Sequence, residues 1–130
     1  MLKSHRLAAI VSVVLMLTTT GCSSLNNYQA RQASKLALAN HLKQHGAKMY
    51  GAYWCLTCAG QKKWLGKEAF SKLTYIECDP AGENPQADLC RKLNINSFPT
   101  WEIDGKLTCI GGCSLDKLAD ASGYKGPRNF

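Results

Sequence analysis

The chain of 130 residues lacks an apolar run long enough to remain in a membrane as a spanning helix. Its longest apolar stretch covers residues 7–17 and contains one serine, whereas a spanning helix needs about 20 apolar residues. Lys3 and Arg6 precede this stretch. A short basic segment followed by a short apolar one is typical of a secretory signal peptide. The sequence therefore predicts an exported domain rather than an integral membrane protein.

The chain also lacks the basic tracts that nucleic-acid binding requires. Lysine and arginine number 16 against 9 aspartates and glutamates, for a net charge of +7. These cations occur at most as pairs, such as Lys62-Lys63 and Arg91-Lys92, and no aromatic residues alternate with them as single-strand binding would need. We expect no nucleic-acid partner, and at most weak attraction to anionic lipid near a membrane anchor.

Small residues directly before Cys22 resemble a bacterial lipobox, in which Cys22 is lipidated and becomes the mature N-terminus. Thr19 departs from that pattern, which more often has leucine there, and an ordinary signal peptide is the alternative. Ser23 after the cysteine resembles the outer-membrane signal of lipoproteins from double-membraned bacteria. We therefore expect a signal peptide over 1–21, a lipidated tether over 22–27, and a periplasm-facing, lipid-anchored protein at the outer membrane.

Cysteine is abundant for a small domain, with seven residues in all. An even number in an exported domain favours a disulfide framework over free thiols. Six cysteines allow fifteen pairings, and the sequence alone does not choose among them. Apart from Cys22, the six are Cys55, Cys58, Cys78, Cys90, Cys109 and Cys113.

Cys55 and Cys58 form a Cys-x-x-Cys motif directly after Trp54 and ahead of a helical pattern. Two thiols so placed close a small disulfide ring, and the helix N-terminus favours the thiolate form of the first. Half a zinc site or a structural bridge are the alternatives, but zinc would need a second ligand pair at suitable spacing. Pro99, some forty residues later, favours redox chemistry.

The pattern of elements predicts an α/β domain over 28–124 with a polar tail over 125–130. Helices and strands alternate until a hairpin at Asp104-Gly105, and Ser114 caps the last helix. This order is that of the thioredoxin fold, a central mixed sheet flanked by helices. The expected elements are a helix over 28–44, a strand over 47–53, a helix over 55–70 with Trp64, Leu65, Ala69 and Phe70 facing inward, a strand over 73–78, a helix over 86–93, strands over 100–103 and 106–110, and a helix ending at Ala121.

Several motifs resemble the thioredoxin superfamily, and most closely the thioredoxin-like domain fused to bacterial homologues of vitamin K epoxide reductase. The similarity runs from about residue 47 to 124. The chain has no bundle of transmembrane helices and looks like the redox domain made as a separate, lipid-anchored protein. The motifs are Gly51-Ala52-Tyr53-Trp54-Cys55, Gly66-Lys67-Glu68-Ala69, Tyr75-Ile76-Glu77-Cys78, Phe98-Pro99-Thr100-Trp101 and Ala121-Ser122-Gly123-Tyr124.

The resemblance implies a role for each matching residue. Cys55 would attack client disulfides, Cys58 would resolve the mixed disulfide, and Pro99 would form a cis peptide bond beside them. Trp54 would cover one side of the sulfurs, while Phe98 would offer its backbone to an extended client segment. The substrate-binding residues we expect are Trp54, Phe98, Thr100, Gly111 and Gly112.

One position departs from the family and affects the proton chemistry. Many members hold a buried carboxylate six residues before the first cysteine, where it accepts the proton of the second thiol. Met49 stands there in this chain. Water, the departing thiolate or another group must take that proton, and Glu77 is the nearest candidate by sequence pattern.

The resemblance also implies a bridge between Cys78 and Cys90, with a pair that shuttles electrons to Cys55 as the alternative. Cys109 and Cys113 have no such counterpart. Four residues of extended strand would separate their α-carbons by roughly 13 Å, and a bridge needs less than about 7 Å. Because glycines can fold the chain back, we expect a bridged turn over Gly111-Gly112. Free thiols or soft-metal ligands are the alternatives.

These observations predict a thiol–disulfide oxidoreductase that needs no cofactor or metal. Its partners would be cysteine-containing clients and a membrane oxidoreductase, similar to vitamin K epoxide reductase. The alternative is a copper or soft-metal chaperone, which scarce methionine and histidine disfavour: Met49, His41 and His45 are the candidates after position 22. We expect the two histidines on a solvated helix face. The direction of electron flow does not follow from the sequence.

Overall fold

The computed structural model describes residues 2–130, with side chains from residue 23 onward. The predicted signal peptide and Cys22 therefore lie outside the residues whose side chains are described. The elements are α1 (Leu2–Gln44), β1 (Lys48–Gly51), α2 (Leu56–Leu65), α3 (Lys67–Phe70), β2 (Thr74–Glu77), α4 (Ala87–Lys92), β3 (Thr100–Ile103), β4 (Lys106–Thr108) and α5 (Leu115–Ala121).

The four strands form one mixed sheet in the order β2-β1-β3-β4. β1 and β2 are parallel, and the connection between them is the helical crossover that parallel strands require. β3 pairs antiparallel with both β1 and β4, so the β3–β4 hairpin forms one edge. This α/β architecture is thioredoxin-like and confirms the predicted fold class.

Alternation along the strands gives the sheet two different faces. On one face, Met49 joins a large core that includes Leu38 and Leu42 of α1, Leu65 of α2 and Leu118 of α5. On the other face, a smaller cluster packs under α4; it consists of Tyr50, Ile76, Cys78 and Cys90. The two helical layers thus bury both faces of β1, the strand that leads directly into the Cys-x-x-Cys motif.

α1 differs from its prediction at its beginning. The helix was expected from Tyr28, but it includes residues 23–27, which are helical and exposed. Within the predicted range 28–44, Leu38 and Leu42 are fully buried, while Ala33 is exposed. None of the helices in the described part of the chain combines the length and apolar character that crossing a membrane requires.

The helix predicted over 55–70 is two helices. Gly66 has a φ of 86°, a left-handed conformation that ends α2 before α3 begins. The inward face of α2 consists of Cys58, Gln61 and Leu65, spaced as one side of a helix requires. Trp64 lies beside that face and is 54% exposed, so its prediction as an inward residue was wrong.

The C-terminal segment, predicted as a polar tail over 125–130, makes several contacts with the domain. Tyr124 is buried, and Phe130 packs against the large core. Arg128 donates to Asp120 of α5 at 2.7 Å. The predicted cap of α5 is confirmed, because the Ser114 hydroxyl accepts a hydrogen bond from the Lys117 amide.

The two histidines at the end of α1 are half-exposed, and each also contacts another part of the domain. His41 Nε2 lies 2.8 Å from the Ser122 carbonyl oxygen. His45 Nδ1 lies 2.9 Å from Asp104 Oδ2 in the β3–β4 turn. Each side chain thus connects the end of α1 to a different part of the domain.

Candidate active site

The Cys-x-x-Cys motif begins α2. Cys55 is the N-cap of this helix, and its sulfur accepts a hydrogen bond from the Cys58 amide at 3.0 Å. Cys55 and Cys58 are joined by a disulfide, with their α-carbons 5.2 Å apart. Since the first amides of a helix have no partner within it, a Cys55 thiolate would receive both this hydrogen bond and the favourable end of the helix dipole.

The two sulfurs differ in access. Cys55 is 7% exposed and Cys58 is 1% exposed. Trp54 and Leu56, the neighbours of Cys55, are both largely exposed. A nucleophile or disulfide arriving from outside therefore reaches Cys55 first, while Cys58 lies beneath its own helix.

A cleft runs past Cys55 beside the Phe98–Pro99 peptide bond, which is cis. Trp54 and Phe98 meet edge to face with their ring centroids 6.0 Å apart. The Trp54 indole N–H also donates to Asp79 at 2.7 Å and lowers the pKa of that carboxyl group. The cleft is lined by Trp54, Cys55, Leu56, Thr57, Asn96 and Phe98.

Gly112 brings a second loop against this site. A β-carbon at Gly112 would lie 3.0 Å from Thr57 Cγ2 and 3.3 Å from Pro99 Cδ, and its φ is 96°. A side chain there would therefore be both crowded and strained. Gly111 is exposed with open space around it. Of the expected client-contacting glycines, Gly112 is the one that lies against Pro99.

Thr100 is placed differently from the other expected client-binding residues. It is 1% exposed, and its hydroxyl donates to the Ser97 carbonyl at 2.8 Å. The Thr100 hydroxyl is thus hydrogen-bonded to the loop that precedes β3. The part that Thr100 takes in client binding, like the parts of Trp54 and Phe98, stays a prediction.

The other four cysteines form the two expected bridges. Cys78 and Cys90 join the end of β2 to α4, with α-carbons 5.7 Å apart. Cys109 and Cys113 are 5.3 Å apart at their α-carbons. The chain folds back between them because Cys109 and the two glycines that follow all have positive φ. Gly111 and Gly112 therefore form part of the turn that was expected between the two cysteines.

Gln61 is a residue of the site that sequence reasoning missed. It is fully buried in α2, where its amide oxygen accepts from the Trp101 indole N–H at 2.8 Å. Its amide nitrogen donates to the Cys113 carbonyl oxygen. Gln61 thus links α2 to β3 and to the Gly112 loop. Its position three residues after Cys58, on the same helix face, was the available signal.

A buried carboxylate lies at the end of β2, the strand that pairs with β1. Glu77 is 4% exposed, and it accepts hydrogen bonds from the Tyr75 hydroxyl at 3.0 Å and the Asp79 amide at 2.9 Å. Burial and the neighbouring Glu77 raise the pKa of Tyr75. Met49, the residue at the usual carboxylate position, is fully buried and apolar.

Comparison with known proteins supports a redox role for this site. No family model matches the chain. It is similar to thiol-disulfide oxidoreductase LTO1 of Arabidopsis thaliana, with 42% identity over 92 residues. The alignment covers 68% of this chain and 24% of the plant protein. The chain therefore spans about a quarter of the length of this relative. The similarity indicates that the chain is related to thiol–disulfide oxidoreductases.

Proposed function

We propose that this protein is a thiol–disulfide oxidoreductase that acts on cysteine-containing client proteins through Cys55 and Cys58. The observation that carries the proposal is the arrangement of the two sulfurs. Cys55 caps a helix and accepts an amide hydrogen bond beside an open cleft, while Cys58 is enclosed beneath it. The similarity to a thiol-disulfide oxidoreductase over 92 residues supports the same chemistry.

In the reducing direction, the Cys55 thiolate attacks one sulfur of a client disulfide. A mixed disulfide forms, and the other client sulfur leaves as a thiolate. Cys58 then loses its proton and attacks Cys55, which releases the second client thiolate and leaves the Cys55–Cys58 disulfide. Two electrons pass to the client. The oxidising direction reverses these steps, and the relative reduction potentials of the pair and its partner decide between them.

Disulfide exchange by the full chain tests this proposal. The reduced protein should accelerate reduction of insulin by dithiothreitol, and protein alkylated beforehand with N-ethylmaleimide should not. Equilibration of Cys55 and Cys58 with glutathione would then give the reduction potential and the favoured direction. Absence of exchange, together with tight binding of one copper ion, would contradict the proposal and favour the soft-metal chaperone.

The proposal includes a membrane-tethered location on the periplasmic side, with Cys22 as the lipidated residue. The basic, apolar and small-residue pattern over 1–22 supports it. Residues 23–30 of α1 are exposed and contribute nothing to the described core, so an anchor before them would leave the domain intact. A membrane oxidoreductase similar to vitamin K epoxide reductase is the redox partner that the motif resemblance supports.

Cys22→Ala should release the protein from the membrane fraction or block its processing, with disulfide exchange in vitro unchanged. The reason is that the acyl chains would be lost while Cys55 and Cys58 stay in place. Fractionation and intact mass measure this. Ser23→Asp is the matched variant, because it should keep the lipid but retain the protein at the inner membrane. An unchanged fraction and mass for Cys22→Ala would contradict the lipoprotein assignment.

A further inference from the structure

The proposed exchange requires Cys58 to lose and regain a proton where solvent scarcely reaches. Its 1% exposure leaves little room for bulk water to act as the base. A buried thiol resists ionisation, since burial disfavours the charged form. Met49 of the neighbouring strand offers no polar atom. The proton acceptor must therefore be a polar group that the fold brings close to the Cys58 sulfur.

The parallel register of β1 and β2 brings such a group there. Met49 is opposite Tyr75, and Gly51 is opposite Glu77, so these four positions share one face of the sheet. A β-carbon at Gly51 would lie 3.0 Å from Cys58 Sγ and 3.1 Å from Tyr75 Oη. The sulfur and the hydroxyl are thus at most about 6 Å apart, within reach of each other through one water.

The hydroxyl group of Tyr75 also links the neighbourhood of Cys58 to Glu77. It donates to Glu77 Oε2 at 3.0 Å. Gly82 covers the other side of the carboxylate so closely that a β-carbon there would collide with the Glu77 side chain. Beyond Glu77 an open cleft leads to solvent. The cleft is lined by Tyr53, Lys62, Tyr75, Glu77, Glu83, Asn84 and Gln86.

Charged and titratable side chains line the cleft beside Tyr75 and Glu77. Lys62 of α2 places its ammonium group 3.5 Å from the centroid of the Tyr75 ring. Burial lowers the pKa of Lys62, and the attraction of Glu77 opposes that effect. Tyr53, from the turn before α2, and Glu83, from the loop after β2, complete the titratable groups of the cleft. Lys62 thus supplies positive charge on the Tyr75 side of the cleft, and Glu83 supplies negative charge.

We propose that Tyr75 and Glu77 form a proton relay for Cys58, an inference that rests on the proposed function. As Cys58 attacks the mixed disulfide, its S–H proton passes to Tyr75 Oη, directly or through one water. The Tyr75 hydroxyl proton passes at the same time to the Glu77 carboxylate. The Cys58–Cys55 bond forms, and the Cys55–client bond breaks with both electrons going to the client sulfur. In the oxidising direction, the leaving Cys58 thiolate takes the proton back by the same route.

Tyr75→Phe and Glu77→Gln test the relay, because each removes one proton-carrying group and keeps most of the packing. Tyr50→Phe and Glu102→Gln are matched controls. The Tyr50 hydroxyl donates to Glu102 in the same way, but this pair belongs to the other face of the sheet. The full chain carrying each change would be reduced, and the rate at which the mixed disulfide with a client peptide resolves would be measured from pH 6 to 10.

We expect the Tyr75 and Glu77 variants to resolve the mixed disulfide about tenfold to a hundredfold more slowly near pH 7. The deficit should shrink at high pH, where hydroxide can ionise Cys58 without a relay. The rate of Cys55 alkylation should stay within about twofold of wild type, since Cys55 ionises through its own amide hydrogen bond. Both controls should keep the wild-type pH profile. If the slower resolution came from a general loss of stability, the controls would show it as well.

Three results would overturn the relay. The first is a wild-type pH profile in both Tyr75→Phe and Glu77→Gln, and the second is an equal deficit in the Tyr50 and Glu102 controls. The third is a wild-type chain that forms no mixed disulfide at all, in which case the proposed function fails as well. Because the wild-type rate is measured in the same series, failure of the relay alone is distinguished from failure of the function.

Discussion

Cys55→Ser should reduce disulfide exchange by about 10³-fold or more, whereas Cys58→Ser should leave the protein trapped as mixed disulfides with its clients. The two substitutions differ because the sulfurs hold different positions at the start of α2. Cys55 accepts the Cys58 amide hydrogen bond and faces the cleft, so its loss removes the attacking thiolate. Cys58 lies beneath the helix, so its loss spares the first attack and prevents only release.

Intact mass under non-reducing conditions separates these outcomes. Cys58→Ser incubated with a disulfide-containing peptide should gain the mass of one peptide chain, and dithiothreitol should remove it. Cys55→Ser should gain none, and its turnover should fall by about 10³-fold or more, as expected for loss of a nucleophile. Cys22→Ala is the matched cysteine control and should turn over like wild type. Alkylation of Cys58 rather than Cys55 in the reduced protein would reverse the assignment.

The elements that the sequence predicted well are those with local signals. β3 has the predicted bounds of 100–103, because the Asp104-Gly105 turn fixes where it ends. The start of α5 follows from Ser114 in the same way. The break at Gly66 was missed, since a glycine inside a helical pattern looks tolerable until the packing of α3 on α1 requires a turn. Packing of Arg128 and Phe130 was missed because it depends on residues far away in sequence.

In the candidate site too, local sequence motifs could be predicted, whereas contacts between distant residues could not. The Cys-x-x-Cys motif and the Pro99 segment are each a short continuous stretch of sequence, so both parts of the site could be recognised from the sequence. The approach of Tyr75 to Cys58 could not, because it arises from the register of β1 with β2 and from the missing side chain at Gly51. Glu77 was a candidate by pattern alone. The Tyr75 hydroxyl that links it toward the sulfur needed the three-dimensional structure.

Cys78→Ser combined with Cys90→Ser should lower the free energy of unfolding by about 3 kcal/mol, from chain entropy alone. The bridge spans a sequence separation of 12 and closes a loop that contains two prolines. Both cysteines are buried in the smaller cluster beside Tyr50 and Ile76. Serine hydroxyls there would add a cost of burial without partners. For a domain of this size the melting temperature should fall by about 10–20 °C.

Cys109→Ser combined with Cys113→Ser is the matched control, because it also removes one bridge but with a separation of only 4. Its entropic loss should be about 2 kcal/mol, so it should melt above the Cys78 and Cys90 variant. Urea unfolding under non-reducing conditions measures both. The rate of disulfide exchange below the melting temperature separates the two roles considered for Cys78 and Cys90. If the bridge is structural, its loss should lower the free energy of unfolding and leave the exchange rate unchanged. Lost turnover with unchanged stability would instead make them a pair that passes electrons to Cys55.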